Sequence, residues 1–446
     1  MGTRTPNEAL ARLYSETGWT LRQLVQAVNR LGTERGTPLR YREPSAHQWL
    51  GGSLPKEPVR TLIVEALSRK LGRPITHAEA GFPQPPNGPN SHPGTSTVEG
   101  LVDLGRQDVD PSRRSVIGAS LFSVALTVPD WPDVVGRMEA AQVGGIPRIG
   151  MPEVHMVTAM TERLSGLDDD FGGRHARPMA AAFLVNTVAP YLKADASESV
   201  RKAMMSAASD LCYLTGYMAV DEGLHGLAQR YYLKALELAG ASEDHLTYCT
   251  TLRGMSVQAV DLGHGRTAMR LADAAAAASP AAGPRMRAFL AGQQAHAAAQ
   301  TGDRRKAWGY IKEAETAMEK AESQSKAFGT YNASVLTYHV SQVHYELGDI
   351  EGSVRSLKEH FPLRDSTDSR RSAIRFGAML AERQMQLGHL EAACSSWIRI
   401  LDEYPSIKSG RVDQQVAKIP LLLRPYKMNA VARNVYERAL EAQRAA

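Results

Sequence analysis

The sequence predicts an all-α protein: a small basic head, then a long array of paired helices. Three observations carry this. Apolar residues recur at helical spacing along most of the 446-residue chain, and aromatics are only 6%, which suits closely packed helices better than a sheet sandwich. A glycine followed five residues later by a small residue recurs at Gly223/Ala228, Gly263/Ala268, Gly302/Ala307, Gly348/Ser353 and Gly388/Ala393, with glycine spacings of 40, 39, 46 and 40. The net charge of +5 is entirely local: residues 1–80 hold twelve Lys/Arg against seven Asp/Glu, leaving forty of each elsewhere. A cationic head on a neutral body is the electrostatic footprint of a polyanion reader.

In the head, Leu10, Leu13 and Tyr14 sit at helical spacing and Gly18 closes the run. Thr20 caps a second helix with the apolar stripe Leu21, Leu24, Val25, Val28 and Leu31, which Gly32 is expected to end. Gly32–Arg42 reads as a polar loop. Pro44 suits the first turn of a short third helix, since its missing N–H would lack a partner there anyway. That helix turns Ala46, Trp49 and Leu50 inward and Ser45, His47 and Gln48 outward, and stops at Gly51-Gly52. A fourth run starts near Pro58 with Val59, Leu62, Ile63, Ala66, Leu67 and Leu71.

These residues divide the chain into a head at 1–81, a Pro/Gly-rich linker at 82–110, a helical lead-in bundle at 111–200 and the repeats at 201–446. Ser112–Val128 and Met151–Leu164 are the expected lead-in helices, and Val431–Ala442 closes the array after five helix pairs. Ser112-Arg113-Arg114-Ser115 before an apolar run has the look of a twin-arginine export signal, but a whole domain precedes it, so an N-capped amphipathic helix is the preferred reading. No uninterrupted apolar run approaches the ~18 residues of a spanning helix, so no membrane role is expected. Cys212, Cys249 and Cys394 lie far apart and suit core positions in a reducing cytoplasm.

Residues that could do chemistry do not assemble. There is no phosphate-cradling glycine loop, no His-Glu-x-x-His, no Gly-x-Ser-x-Gly and no Cys/His metal spacing, so neither enzymatic activity nor a metal or cofactor is expected. Asp168-Asp169-Asp170 with His175 invites a metal assignment, yet consecutive carboxylates on a turn rarely converge on one ion. A helix end, a glycine turn and a new helix start are preferred.

With its Ser45…Trp49-x-Gly51…Pro55 run, the stretch 7–82 resembles the Cro/repressor-type (XRE family) helix-turn-helix. In that family the second helix of the motif enters the major groove and its N-terminal residues read base edges. The resemblance implies that Ser45, His47 and Gln48 face bases, Gln being suited to adenine through its paired donor and acceptor. It also implies that Arg40, Tyr41, Arg42 and Arg60 hold phosphates. One departure stands out: Gly32–Arg42 is longer than the usual tight turn, which leaves the setting of the reading helix open.

The glycine–small pattern, with Tyr232, Ala272, Ile311, Leu357 and Trp397 four residues after each small position, resembles the tetratricopeptide repeat. The expected fold is thus a helix-turn-helix domain followed by a right-handed α-solenoid with a concave face. On the repeat template that face holds Tyr213, Tyr217, Arg253, His296, Tyr338, Gln342, Tyr345 and Arg375, a groove suited to a signalling peptide or an anionic small molecule. A plain helical array without a groove is the alternative.

The segment 167–177, of pattern LDxxFGGxxAR, resembles one that follows the DNA reader in actinobacterial regulators of sporulation and antibiotic production. The joining of the two modules also resembles peptide-sensing quorum regulators of Gram-positive bacteria. Together these imply a cytoplasmic transcriptional regulator that binds double-stranded DNA as a homodimer and senses a ligand, or dimerises, through its repeats. The rival expectation is an interaction adaptor whose repeats hold a partner protein and whose head no longer binds DNA.

Overall fold

The computed structural model describes residues 5–83, 97–109, 121–124, 126, 148–278, 283–321, 331–364 and 369–445. Among them the regular structure is helical, with no strand. The expected helix Ser112–Val128 and the Arg113-Arg114 pair fall almost wholly outside the described residues; Leu121–Val124, which are described, are not helical.

The head is built from α1 (Glu8–Thr17), α2 (Leu21–Glu34), α3 (Glu43–Leu50) and α4 (Val59–Leu71). The Asn7 side chain accepts from the Leu10 amide to start α1, and Thr20 with Gln23 forms a reciprocal capping box at α2. Leu10, Leu13, Leu24, Val28, Ala46, Leu62, Ile63 and Leu67 are fully buried in one cluster, and Trp49 joins them at 5% exposure. Gly32 does not end α2. The helix runs on to Glu34, and Gly32 lies inside it because Leu39 folds back over that position, where a Cβ would sit 2.7 Å from Leu39 Cγ.

That fold-back settles the long α2–α3 connection. The Asn29 side chain donates to the Tyr41 carbonyl and accepts from the Tyr41 amide, both at 2.9 Å, and the Tyr41 ring packs edge-on against Trp49 with centroids 5.2 Å apart. The extra residues are tied to α2, so α3 still packs directly on it.

The expected linker 82–110 is shorter than its composition suggests. Its last part forms α5 (Thr97–Val109), which buries Leu101 and Leu104 against the body. The lead-in continues with α6 (Met151–Phe171), about two turns longer than expected. Next come α7 (Gly173–Phe183), a π-helical turn (Leu184–Val188) and α8 (Ala189–Leu192).

The repeats follow as five helix pairs: α9 (Glu198–Asp221) with α10 (His225–Ser242), α11 (His245–Asp261) with α12 (Gly265–Ala277), α13 (Pro284–Gln300) with α14 (Arg304–Glu319), α15 (Ala333–Glu346) with α16 (Ile350–His360), and α17 (Arg370–Gln386) with α18 (Leu390–Glu403). Each turn within a pair carries its glycine at positive φ, from 76° to 85°, a backbone state that disfavours residues bearing a Cβ. Ala228, Ala268, Ala307, Ser353 and Ala393 are all fully buried, so the paired helices approach closely at those points. The residues four positions later fill the space alongside: Tyr232 and Leu357 are fully buried and Trp397 is 1% exposed.

The array ends on a pair rather than on a single closing helix. α19 (Gly410–Leu423) precedes α20 (Ala430–Ala445), and Val412, Val416, Ile419, Ala432, Val435 and Ala439 pack together with Trp397. Pro420 inside α19 hid this helix from a sequence reading. Among the described residues no helix is long and apolar enough to cross a membrane.

Candidate functional site

On the head, α3 presents one polar edge. His47 and Gln48 are exposed and Ser45 is half-buried. Arg42 caps the helix without a side-chain capping bond, and Arg40 precedes it; both are exposed and make no ion pair among the described residues. A cleft of about 700 Å³ between the starts of α2 and α3 is lined by Arg22, Gln26, Arg42 and His47 over an apolar floor of Leu21 and Val25.

Two of the expected phosphate anchors are placed otherwise. Tyr41 is half-buried with its ring on Trp49, so it supports α3 rather than projecting from it. Arg60 turns to Glu57, with Nε 3.1 Å from the carboxylate and 14% of its side chain exposed. The same division runs through the whole head. Arg69 pairs with Glu34 and Glu65, and Arg73 pairs with Glu79 and Glu16, so these arginines of the α4 side are neutralised. Arg22, Arg40 and Arg42 at the α2–α3 edge are exposed and have no ion pair among the described residues.

The head is joined to the body by a clip, residues 121–124, that the sequence did not reveal. Leu121 belongs to the head core, while Phe122 and Val124 belong to the body core. Glu65, 2% exposed, accepts from the Ser123 hydroxyl and the Val124 amide, both at 2.9 Å, and Arg69 donates to the Phe122 carbonyl at 2.8 Å. From the body side, Gln229 accepts from the Ser123 amide and donates to its carbonyl, and His264 stacks on Phe122 with centroids 4.9 Å apart.

Burial, with Arg69 as a lesser cause, pushes His264 down to about 4. A histidine lowered in this way is neutral when docked and gains a proton when released, so docking is favoured above pH 6.5 and weakens as pH falls toward 4. Amide hydrogen exchange in the clip and in α4 is expected to speed up across that interval. Exchange that stays flat in His264→Gln and still rises in the wild type assigns the effect to this imidazole; a rise in both removes it.

The expected concave groove is largely occupied by its own protein. The first inner helices and the last ones meet, because the segment 167–177 reaches the C-terminal pairs. Asp168 receives Arg371 at 2.6 Å, with Asp221 3.6 Å from the same guanidinium nitrogen. The Gly172 position abuts the Lys408 carbonyl, closer than any Cβ allows, and the Lys408 amide donates to Phe171 at 2.7 Å. Arg174 pairs with Asp413 at 2.7 Å, and Arg177 is buried against Asp108 and Glu222. The acidic run is thus a closure device. Among the described residues no group of three potential ligands could hold a metal ion.

The inner-face residues divide accordingly. Tyr213, His296, Tyr338 and Gln342 are buried, at 8%, 4%, 8% and 5% exposure. Tyr338 stacks on Phe376, centroids 4.3 Å apart. Gln342 takes Arg383, whose guanidinium lies over the Tyr345 ring at 4.2 Å. Arg375 is held by Asp261 at 2.7 Å, and Arg411 reaches the other oxygen of that carboxylate at 2.9 Å. An open groove through all eight residues is therefore corrected to a packed inner face; among the described residues Tyr217, Arg253 and Tyr345 keep half-exposed side chains without a carboxylate partner at hydrogen-bonding distance.

Cys212, Cys249 and Cys394 are buried cysteines, and burial raises Cys212 far above its ordinary value. A family profile described as the SP15 N-terminal domain matches residues 10–83, which is the head from within α1 to just past α4. No curated protein matches the chain.

Proposed function

We propose that this chain is a DNA-binding transcriptional regulator that acts in the cytoplasm as a homodimer. Its α3 edge would seat in the major groove of an operator, and its repeat body would receive a signal. The observation that carries this reading is the sorting of charge on the head: Arg40, Arg42, His47 and Gln48 stand exposed at one edge, while Arg60, Arg69 and Arg73 are neutralised by Glu57, Glu34, Glu65, Glu79 and Glu16. Phosphates are met by unpaired guanidinium groups, and bases by amide and imidazole edges.

A dimer follows from economy of recognition, because one short helix reads only a few base pairs and two-fold operators are matched by two-fold proteins. The clip gives a signal its route. Ligand binding that shifts α10 or α12 moves Gln229 or His264, and through Ser123 and Phe122 it moves Glu65 and Arg69 on α4. A ligand shifts that balance only by its differential affinity for the two arrangements. A role in development or antibiotic production rests on the similarity of residues 167–177 noted above.

Fluorescence anisotropy of a labelled duplex pool at rising salt tests the proposal. Binding should weaken steeply, with a slope of log affinity against log salt of about −0.9 for each phosphate contact. Affinity independent of salt would place the contact elsewhere than on the phosphate-facing edge.

A further inference from the structure

We propose that Arg253 anchors a binding site for a small aromatic monocarboxylate on the inner face of the repeats, a proposal that rests on the reading of the repeat body as the signal receiver. The inner-face arginines of the closing helices are accounted for. Arg371 has Asp168, Arg375 and Arg411 share Asp261, and Arg383 gives its terminal nitrogens to Ser341, Ser353 and Gln342. Arg253 differs. Its guanidinium carbon lies 3.6 Å from the Phe289 ring centroid, and Nε donates to the Phe289 carbonyl at 3.2 Å. Its two terminal nitrogens have no hydrogen-bond or ion-pair partner among the described residues.

Among the described residues no carboxylate lies within ion-pair distance of Arg253. The groups that face Arg253 electrostatically are the phenols of Tyr213, Tyr217, Tyr331 and Tyr338, and burial works against its charge. The neighbouring imidazole of His339 is held neutral by burial and by Arg253 itself. His296 on the next inner helix has a buried Nε2 without a hydrogen bond, 3.8 Å from Glu346. The terminal nitrogens of this half-exposed side chain face solvent from a largely apolar setting, so a carboxylate that replaces water there gains a charge-assisted pair.

The geometry selects that partner. One face of the guanidinium is covered by Phe289 and Nε is fixed, so the two terminal nitrogens form a fork that matches a planar carboxylate. A single uncompensated positive charge calls for a single negative one. The half-exposed Tyr217 ring, stacked on the buried Tyr213, favours a flat apolar body behind the carboxylate.

The test uses the full-length chain and benzoate as the probe, with neutral benzamide and inorganic phosphate as controls, read by calorimetry and by thermal shift. Benzoate at about 10 mM is expected to raise the melting temperature by linkage, while benzamide and phosphate leave it unchanged. Arg253→Met should lose the shift altogether. Arg253→Lys, which keeps the charge without the fork, should bind benzoate roughly tenfold more weakly. Circular dichroism of both variants checks that they are folded, and the benzoate–benzamide contrast on the wild type stands whether or not they are.

No shift with benzoate, an equal shift with benzamide, or a shift that survives in Arg253→Met would each overturn the site. A phosphate shift in place of the benzoate shift would overturn the carboxylate assignment. Duplex binding measured on the same samples separates the two readings: benzoate binding without DNA binding sinks the regulator and keeps the site, and DNA binding without benzoate binding does the reverse.

Discussion

Arg371→Ala is expected to destabilise the chain by about 3–5 kcal/mol, the range for removing one partner of a buried ion pair. The guanidinium sits between α17 and the lead-in, 2.6 Å from Asp168 and 3.6 Å from Asp221, over the Tyr217 ring at 5.2 Å. Without it, Asp168 and Asp221, at 2% and 1% exposure, face each other with no cation between them.

The sign of the pH dependence follows. Burial already pushes Asp168 up to about 6, against the pull of Arg371, with Asp221 and Asp169 adding to the rise. A carboxyl raised above its unfolded value binds more protons when folded, so its contribution is present in acid and lost as pH climbs from about 4 through the folded value. Removing Arg371 raises the carboxyl further, and the deficit of the variant should therefore be larger at pH 8 than at pH 5. Urea denaturation at both pH values checks this. The double variant Asp168→Leu/Arg371→Met should recover part of the loss, since it removes one carboxylate with its cation but leaves Asp221 buried. A loss in Arg371→Ala below about 1 kcal/mol would show that the ring closure contributes little.

The second large effect concerns recognition. Arg42→Ala is expected to weaken binding to every duplex by a similar factor and to reduce the salt slope by about one phosphate contact. Gln48→Ala should cost about 1–3 kcal/mol on the preferred operator and relax the preference at particular base pairs. Both side chains are exposed and make no ion pair among the described residues, so neither change should disturb the fold. Anisotropy on matched and single-substituted duplexes distinguishes them. Unchanged affinity in both would remove α3 from the interface.

Much of the fold was legible because its signals are local. Helical spacing, the glycines of the five turns and the small residues after them depend on short-range geometry, and the positive φ at Gly223, Gly263, Gly302, Gly348 and Gly388 matches that reading. Trp49 and Ala46 likewise go to the core as their spacing requires. Long-range contacts were not legible. Nothing near Asp168 in the chain points to Arg371, 203 residues away, so the acidic run reads only as a helix end before a glycine turn and a new helix start, which the structure has, and not as the seat of a long-range ion pair. The inner-face list failed for the same reason: a repeat template shows which residues face inward, but not that α17 and α19 return to fill that space with Arg375, Arg411 and Phe376.

Three smaller misses have simple physical causes. Gly32 looks like a helix stop, yet the Leu39 side chain needs the room that its missing Cβ leaves. Tyr41 has the composition of a phosphate anchor, but its ring is worth more against Trp49 than in water. Arg60 lies three residues from Glu57, close enough for the pair to have been anticipated from spacing alone.

The most direct test is selection of bound sequences from a randomised duplex library by the full-length chain, in parallel with Gln48→Ala. Enrichment of a two-fold motif by the wild type, with loss of information at specific positions in the variant, is the predicted result. A library that stays random with the wild type at low salt, or identical motifs from both proteins, would contradict the assignment of α3 as the reading helix.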